Sequence, residues 1–347
     1  MSRNGGENMA LTVMRPGLLT TVQDLGRPAY QQYGVVVGGV MDEGAARVAN
    51  LLVGNDEGMA VLELTMAGAG LRADEDMAMA ICGGDMVVEA DGESVPLWRP
   101  VLWREGSVLS FLTCRSGCRA YLAVSGGIDV PLVMGSRSTY LRAGIGGLEG
   151  RALRKGDKLS VLPSAPGSKQ AQVMHMLRGQ GGTMSWHAGH FAIMHTPMHV
   201  IRIMPGTHMD RLSAESKHAL LQTAFRVGVR SDRMGYRLEG QQLQLITKEE
   251  LLSEAVAAGT IQVPGDGQPI VLLADRQTTG GYPRVAQVAA VDLPIFAGLK
   301  PGDEVRFQLI THQDAERLLL QRERDIDVLK AGIALKMKKA GAVSAPT

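Results

Sequence analysis

Polar residues able to bind or activate a small substrate gather in three short stretches of this chain. Asp275-Arg276-Gln277-Thr278-Thr279-Gly280-Gly281-Tyr282 follows the apolar run Ile270-Val271-Leu272-Leu273-Ala274. Its two glycines let backbone N–H groups approach a ligand closely, and its two hydroxyls and one amide add donors, so the turn suits an anion or a carbonyl oxygen. A tight polar turn with no ligand has the same composition. Ser231-Asp232-Arg233-Met234-Gly235-Tyr236-Arg237-Leu238-Glu239-Gly240 carries two arginines among its acids. A guanidinium fork holds a carboxylate by two parallel hydrogen bonds, although the same charges also suit a solvated ladder between strands. Thr21-Val22-Gln23-Asp24-Leu25-Gly26-Arg27-Pro28 sets an Asp and an Arg around a glycine turn, with the same two readings.

Other candidates lack the company their chemistry needs. The phosphate-binding GxxxxGK[ST], the zinc-binding HExxH, the nucleophile GxSxG and paired CxxC motifs are all missing. Cys114 and Cys118 have Arg115 and Arg119 beside them and no neighbouring His, which favours packed or turn cysteines over a metal site. His187, His190, His195 and His199 have no carboxylate near them, so surface or packing roles are expected. No metal site is expected on this chain. Ala334-Leu335-Lys336-Met337 is similar to the tetrapeptide around a biotinyl lysine, but it ends a helical pattern where a carrier displays a hairpin tip, so no biotin is expected on Lys336.

Positioning these turns falls to short strands. Ala78–Cys82, Val108–Leu112, Ala120–Val124 and Ile270–Ala274 are apolar runs bounded by Gly, Pro, Asp or Ser. Forty-three glycines in 347 residues imply many tight turns, and the chain reads as mainly β, in barrels or sandwiches. Three segments break that pattern. Asp42 caps an apolar stripe of Ala45, Val48, Ala49, Leu51 and Leu52 that stops at Gly54-Asn55. Ser213 starts a comparable helix running towards Phe225, and Thr311 with Asp314 opens a long C-terminal helix expected to pack on the second lobe and to fray from Lys336 to Lys339.

The two halves echo each other. Leu153-Arg154-Lys155-Gly156-Asp157-Lys158-Leu159 matches Leu299-Lys300-Pro301-Gly302-Asp303-Glu304-Val305, each a Gly-Asp turn feeding a last strand. The expected organisation is a loose tail at 1–8, a first lobe at 9–163, a linker at 164–184, a second lobe at 185–310, and a C-terminal helix and tail at 311–347. Composition supports a globular chain, with 45% hydrophobic and 20% charged residues. Scarce aromatics and 19 methionines assign thioethers to core packing. Thirty-six basic residues against 35 acidic ones leave a formal charge of +1, so no global field recruits nucleic acid or anionic lipid. With no long apolar span, no leader-like start and an odd count of three cysteines, a cytoplasmic protein with reduced thiols and no membrane partner is expected.

Six blocks in order carry a resemblance: TTVQDLGRP, GGVMDEGAARVANLLVGN, YLAVSGGIDVPLVMGSRSTYLRAGIGGLEGR, SDRMGYRLEG, IQVPGDGQPIVLLADRQTTGGYPRVAQV and PGDEVRF. From about Leu11 to Leu309 the chain resembles the KipA family, also called the 5-oxoprolinase C subunit or allophanate hydrolase subunit 2, which is related to the carboxyltransferase domain of urea carboxylase. It departs from the family pattern at Ala29 and at Thr207-His208-Met209. The resemblance implies two tandem cyclophilin-like β-barrel lobes. It also implies a complex with a KipI-like and a LamB/YcsF-like protein that opens 5-oxoproline to glutamate using ATP and Mg²⁺. On that reading Arg233 or Arg237, with Tyr236, meets the substrate carboxylate. The turn Gln277, Thr278, Thr279, Gly280 and Gly281 meets oxyanion or phosphate oxygens, and Asp24 or Asp275 serves orientation or metal. Two alternatives stay open: a biotin-dependent carboxyltransferase acting on urea or another small amide, with biotin on another chain, and a regulatory protein that binds a KipI-like partner.

Overall fold

Strands dominate wherever β-branched and aliphatic residues recur between glycine turns. The structure is a computed structural model that describes residues 9–193, 198–247 and 251–343, which leaves the expected tail at 1–8 and His195 outside the described residues. The chain divides into two units, and each is built on its own β-sheet.

In the first unit a ten-stranded, nearly closed sheet runs in the order 19–23, 61–65, 108–124, 69–73, 9–16, 158–161 and 128–129. Three further strands lie off this path: Met77–Ala90 pairs along much of Val108–Val124, and Glu93–Ser94 and Val101–Trp103 each pair with Met77–Ala90. The sequence suggests two strands within 108–124, but the structure has one of 17 residues. Cys114-Arg115-Ser116-Gly117-Cys118 looks like a turn; it is a bulged stretch of strand. Gly83 and Gly84 across from it make this possible, since a Cβ on Gly84 would stand 2.9 Å from the Ser116 carbonyl oxygen. The core is filled by Trp103, Phe111 and Leu109 together with Met77, Met79 and Met86, as the methionine content leads one to expect. None of the three cysteines is in a disulfide; Cys82 and Cys118 are buried, and Cys114 Sγ lies 3.0 Å from the Gly117 carbonyl oxygen.

Two helices stand out in this unit. Helix α1 (Glu43–Leu52) forms where the capped apolar stripe predicts it. Helix α2 (Lys169–Gly179) occupies the stretch expected to be a linker. Its proline- and serine-rich approach hides a sound helix signal: Ser168 accepts a hydrogen bond from the Ala171 N–H, and Val173, Met176 and Leu177 bury one face at helical spacing.

The second unit is a closed barrel of strands 198–205, 284–288, 260–262, 270–272, 235–239, 225–227 and 304–309. Its closing pair, 198–205 with 304–309, is parallel. Helix α3 (Ala214–Gln222) is capped by Ser213 and ends before Phe225, which instead starts a strand buried at Phe225 and Val227. Helix α4 (Leu293–Gly298) follows, with Phe296 set edge-on to Tyr236 at 6.1 Å between centroids.

The lobe boundaries shift in two further places. Residues Arg27–Asp42 belong to the second unit, although their neighbours on both sides in sequence belong to the first. The cause is long-range: Arg233 Nη2 donates to the Gly39 carbonyl, and Met41 is buried in the second core. Helix α5 (His312–Val343), opened by the expected reciprocal Thr311–Asp314 bonds, is helical through Lys336–Lys339. Up to Asp325 it groups with the second unit and from Ile326 onward with the first, where packing on the second lobe alone is expected.

That grouping has an electrostatic anchor. Lys330 Nζ donates to Glu57 Oε1 at 3.0 Å, while Arg47 Nε donates to Glu57 Oε2 at 2.9 Å. Burial pushes the Glu57 carboxyl up, but the bonds and charges of Lys330 and Arg47 outweigh it and hold the group below its usual range. The Glu57 bond raises Lys330, against a smaller opposing effect of burial. Glu57 therefore stabilises above the ordinary carboxylate range and loses that contribution as pH falls through its depressed folded value. Lys330 stabilises below the ordinary lysine value and loses its contribution as pH rises through its raised one. Solvent screening keeps the pair within about 1 kcal/mol. Protection of 326–343 against hydrogen exchange, taken relative to the intrinsic rate at each pH, should be greatest between those limits, and K330M should abolish its alkaline limb; a K330M profile identical to wild type would refute the anchor.

Candidate functional site

The predicted site residues separate into a committed set and an available set. Asp275 and Arg233 form a buried, two-pronged ion pair: Arg233 Nε donates to Oδ2 at 2.9 Å and Nη2 donates to Oδ1 at 3.1 Å. Arg233 Nη2 also donates to the Gly39 carbonyl. A Cβ on Gly38, where φ is +66°, would stand 3.4 Å from Arg27 Nη1 and 3.7 Å from Asp275 Oδ1. Two arginines and one aspartate thus enclose the Gly38-Gly39 turn inside the second unit. Arg233, expected to hold a substrate carboxylate, already holds a protein one. Asp275, expected among the catalytic residues, fixes the base of the turn it opens.

Two other expectations change for reasons of strand geometry. In Gly235–Glu239 the side chains alternate, so Tyr236 and Leu238 are buried while Arg237 and Glu239 are exposed. Tyr236 donates its hydroxyl proton to the Leu299 carbonyl at 3.0 Å and belongs to the barrel core, so it does not face a substrate. Arg237 lies on the opposite, exposed face.

Asp24 belongs to the first unit, apart in grouping from the other expected residues. Its Oδ1 accepts from the Ser136 and Ser138 hydroxyls, both at 2.6 Å, and from the Gly26 N–H at 2.8 Å. Its Oδ2 accepts from the Arg137 N–H at 2.5 Å. A carboxylate receiving four donors is an anchor for the 136–138 segment. Among the described residues no three His, Cys, Asp or Glu side chains converge as a metal centre.

The available set is the turn itself. Gln277 and Thr279 are exposed and Thr278 is half-buried, and among the described residues none of these side chains has a hydrogen-bond partner. The backbone holds them in place: the Val256 N–H donates to the Thr278 carbonyl at 3.0 Å, and Thr279–Gly280 pairs with Glu254–Ala255. Gly280 is required by close approach, because a Cβ there would stand 2.6 Å from Gln262 Nε2. Beyond it, Gly281, Tyr282 and Pro283 line a cleft of about 760 Å³ with Gln242, Gln244 and Asp266. That is a volume suited to a small ligand, with amides for neutral hydrogen bonding and an exposed ring for stacking.

Sequence reasoning missed Arg276, buried at 8% exposure within the quoted turn. It also missed Gly38 and Gly39, whose partners are distant in sequence, and the serines that meet Asp24. His208 sits where the chain departs from the family pattern. Burial, then the charges of Arg211 and Arg284, push its imidazole down, and its Nδ1 accepts from the Arg284 N–H at 3.0 Å.

The fold of two β-sheet units is shared with a solved carboxylase, and the family follows from the sequence match. Residues 33–309 match the family described as carboxyltransferase domain, subdomain A and B, and the chain belongs to that family. It is 38% identical over 320 residues to the 5-oxoprolinase C subunit of Escherichia coli (strain K12), covering 92% of this chain and 97% of that protein. The crystal structure of the Kluyveromyces lactis urea carboxylase superposes with a TM-score of 0.83 at 28% identity, over 93% of this chain and 29% of that one. Urea amidolyase of Saccharomyces cerevisiae is 29% identical across 97% of this chain, which spans 18% of that protein.

Proposed function

We propose that the chain acts as the C subunit of an ATP-dependent 5-oxoprolinase, together with a KipI-like and a LamB/YcsF-like protein. The observation that carries this reading is the end-to-end match to the 5-oxoprolinase C subunit, at 38% identity over 97% of that protein. The lactam resists water because amide resonance stabilises its carbonyl. ATP would supply a phosphoryl group to the carbonyl oxygen. One water would then add to the activated carbon and the ring C–N bond would open, leaving glutamate with its side-chain carboxyl phosphorylated; a second water would release phosphate to give glutamate. This chain's part is to hold the small acid and to stabilise charge on oxygen. The Gln277, Thr278 and Thr279 side chains, without hydrogen-bond partners among the described residues, and the Gly280-Gly281 backbone supply the donors. Mg²⁺ would travel with ATP, held largely by phosphate oxygens. A cytoplasmic setting fits a nucleotide-dependent reaction, and no described helix is long and apolar enough to cross a membrane.

The second reading is carboxyl transfer from a biotin carried on another chain to a small amide, and it is favoured by the family description and the urea carboxylase superposition. Lys336 lies within α5, so the chain does not present it at a hairpin tip. Reconstitution with the partner proteins distinguishes the two. ATP hydrolysis stimulated by 5-oxoproline without bicarbonate supports the first. Strict dependence on bicarbonate and a biotinylated partner would replace it with the second.

A further inference from the structure

We propose that Arg276 is a carboxylate-binding residue, the one that receives the acid group of the substrate; only the identity of that acid rests on the 5-oxoproline reading. Its guanidinium is buried, and its two hydrogen bonds sit at the outer limit of length: Nε to the Val256 carbonyl at 3.5 Å and Nη1 to the Leu273 carbonyl at 3.4 Å. No carboxylate faces it among the described residues. Its neighbour in sequence, Asp275, is already bound by Arg233 through both oxygens. Arginine keeps its proton, so this is a buried positive charge without a counter-charge, an arrangement that costs stability unless an anion joins it. Burial alone pushes the Arg276 guanidinium below its ordinary value, which reflects that deficit.

The fold has little need of this guanidinium. The Leu273 carbonyl also accepts from the Arg276 N–H at 3.2 Å, and the Val256 carbonyl also accepts from Gln31 Nε2 at 3.5 Å. Removing the side chain's charge leaves neither carbonyl without a donor. The shared Val256 carbonyl also brings the Gln31 amide beside Arg276, a second donor for an incoming acid. The other candidates are unsuited: Arg233 is occupied, and Arg237 is on the exposed face of its strand.

The reconstituted complex, carrying wild-type chain, R276M or R276K, is titrated calorimetrically with L-5-oxoproline and with 2-pyrrolidinone, the same lactam lacking the acid. The melting temperature of each isolated full-length chain is measured with and without acetate. R276M should bind 5-oxoproline about ten- to a hundredfold more weakly and 2-pyrrolidinone unchanged. Without ligand it should melt higher than wild type, the opposite of what a structural arginine gives, with R276K between. Unchanged 5-oxoproline binding by R276M, or a lower ligand-free melting temperature, overturns the proposal. If wild type ignores 5-oxoproline while acetate raises its melting temperature and not that of R276M, the anion site stands and the substrate reading falls. If acetate has no such effect either, both fall.

Discussion

Asp275→Ala is expected to destabilise the second unit by about 3–5 kcal/mol, because it strands the Arg233 guanidinium in a place where water cannot replace the lost carboxylate. Both side chains are 7% exposed, so solvent screening removes little of the penalty. The cost lies in the uncompensated charge more than in the pair itself. Replacing both members together, as R233M with D275L, should therefore recover most of the loss. The readout must report on the right unit. Trp98, Trp103 and Trp186 all lie in the first unit, so tryptophan fluorescence would miss the event. Hydrogen exchange in strands 235–239 and 270–272 would register it. A single-variant loss under about 1 kcal/mol, or a double variant as damaged as the single one, would show that the pair is not the anchor described.

Asp24→Ala should cost the first unit about 3 kcal/mol or more. Four donors converge on that carboxylate, and a buried donor left without an acceptor costs about 1–3 kcal/mol, with solvent entry and rotation of the two hydroxyls offsetting part of the sum. Asn is a poor rescue, since its amide group would turn a donor towards one of the existing donors. Here tryptophan fluorescence is the appropriate probe, and the urea midpoint should fall sharply. Protection at 136–138 should fall furthest. A midpoint within experimental scatter of wild type would mean that other contacts hold the segment.

The elements are easier to read from the chain than their partners are. Helix α1 and the Thr311–Asp314 opening of α5 are local patterns, and both form as expected because capping and stripe lie within a few residues. The barrels are legible from short runs and glycine turns. What escapes are effects settled by distant atoms. The bulge at 114–118 depends on glycines at 83 and 84, and Ser168 has linker composition around it although it caps α2. Likewise, the motifs around Arg233 and Asp275 look like two independent ligand-binding segments. They are halves of one ion pair, and no spacing rule reveals that two attractive groups have already satisfied each other. Tyr236 is visible as a polar tip, whereas strand alternation, equally visible, assigns it to the core and Arg237 outside.

Threading of residues Arg27–Asp42 into the second unit imposes an order on synthesis. Gly39 leaves the ribosome 194 residues ahead of Arg233, which at cellular translation rates of roughly 5–20 residues per second is a delay on the order of 10–40 s. During that interval the first barrel can close while the 27–42 excursion still lacks its destination. A cut between the lobes, made to express them separately, would strip the later barrel of a segment synthesised early.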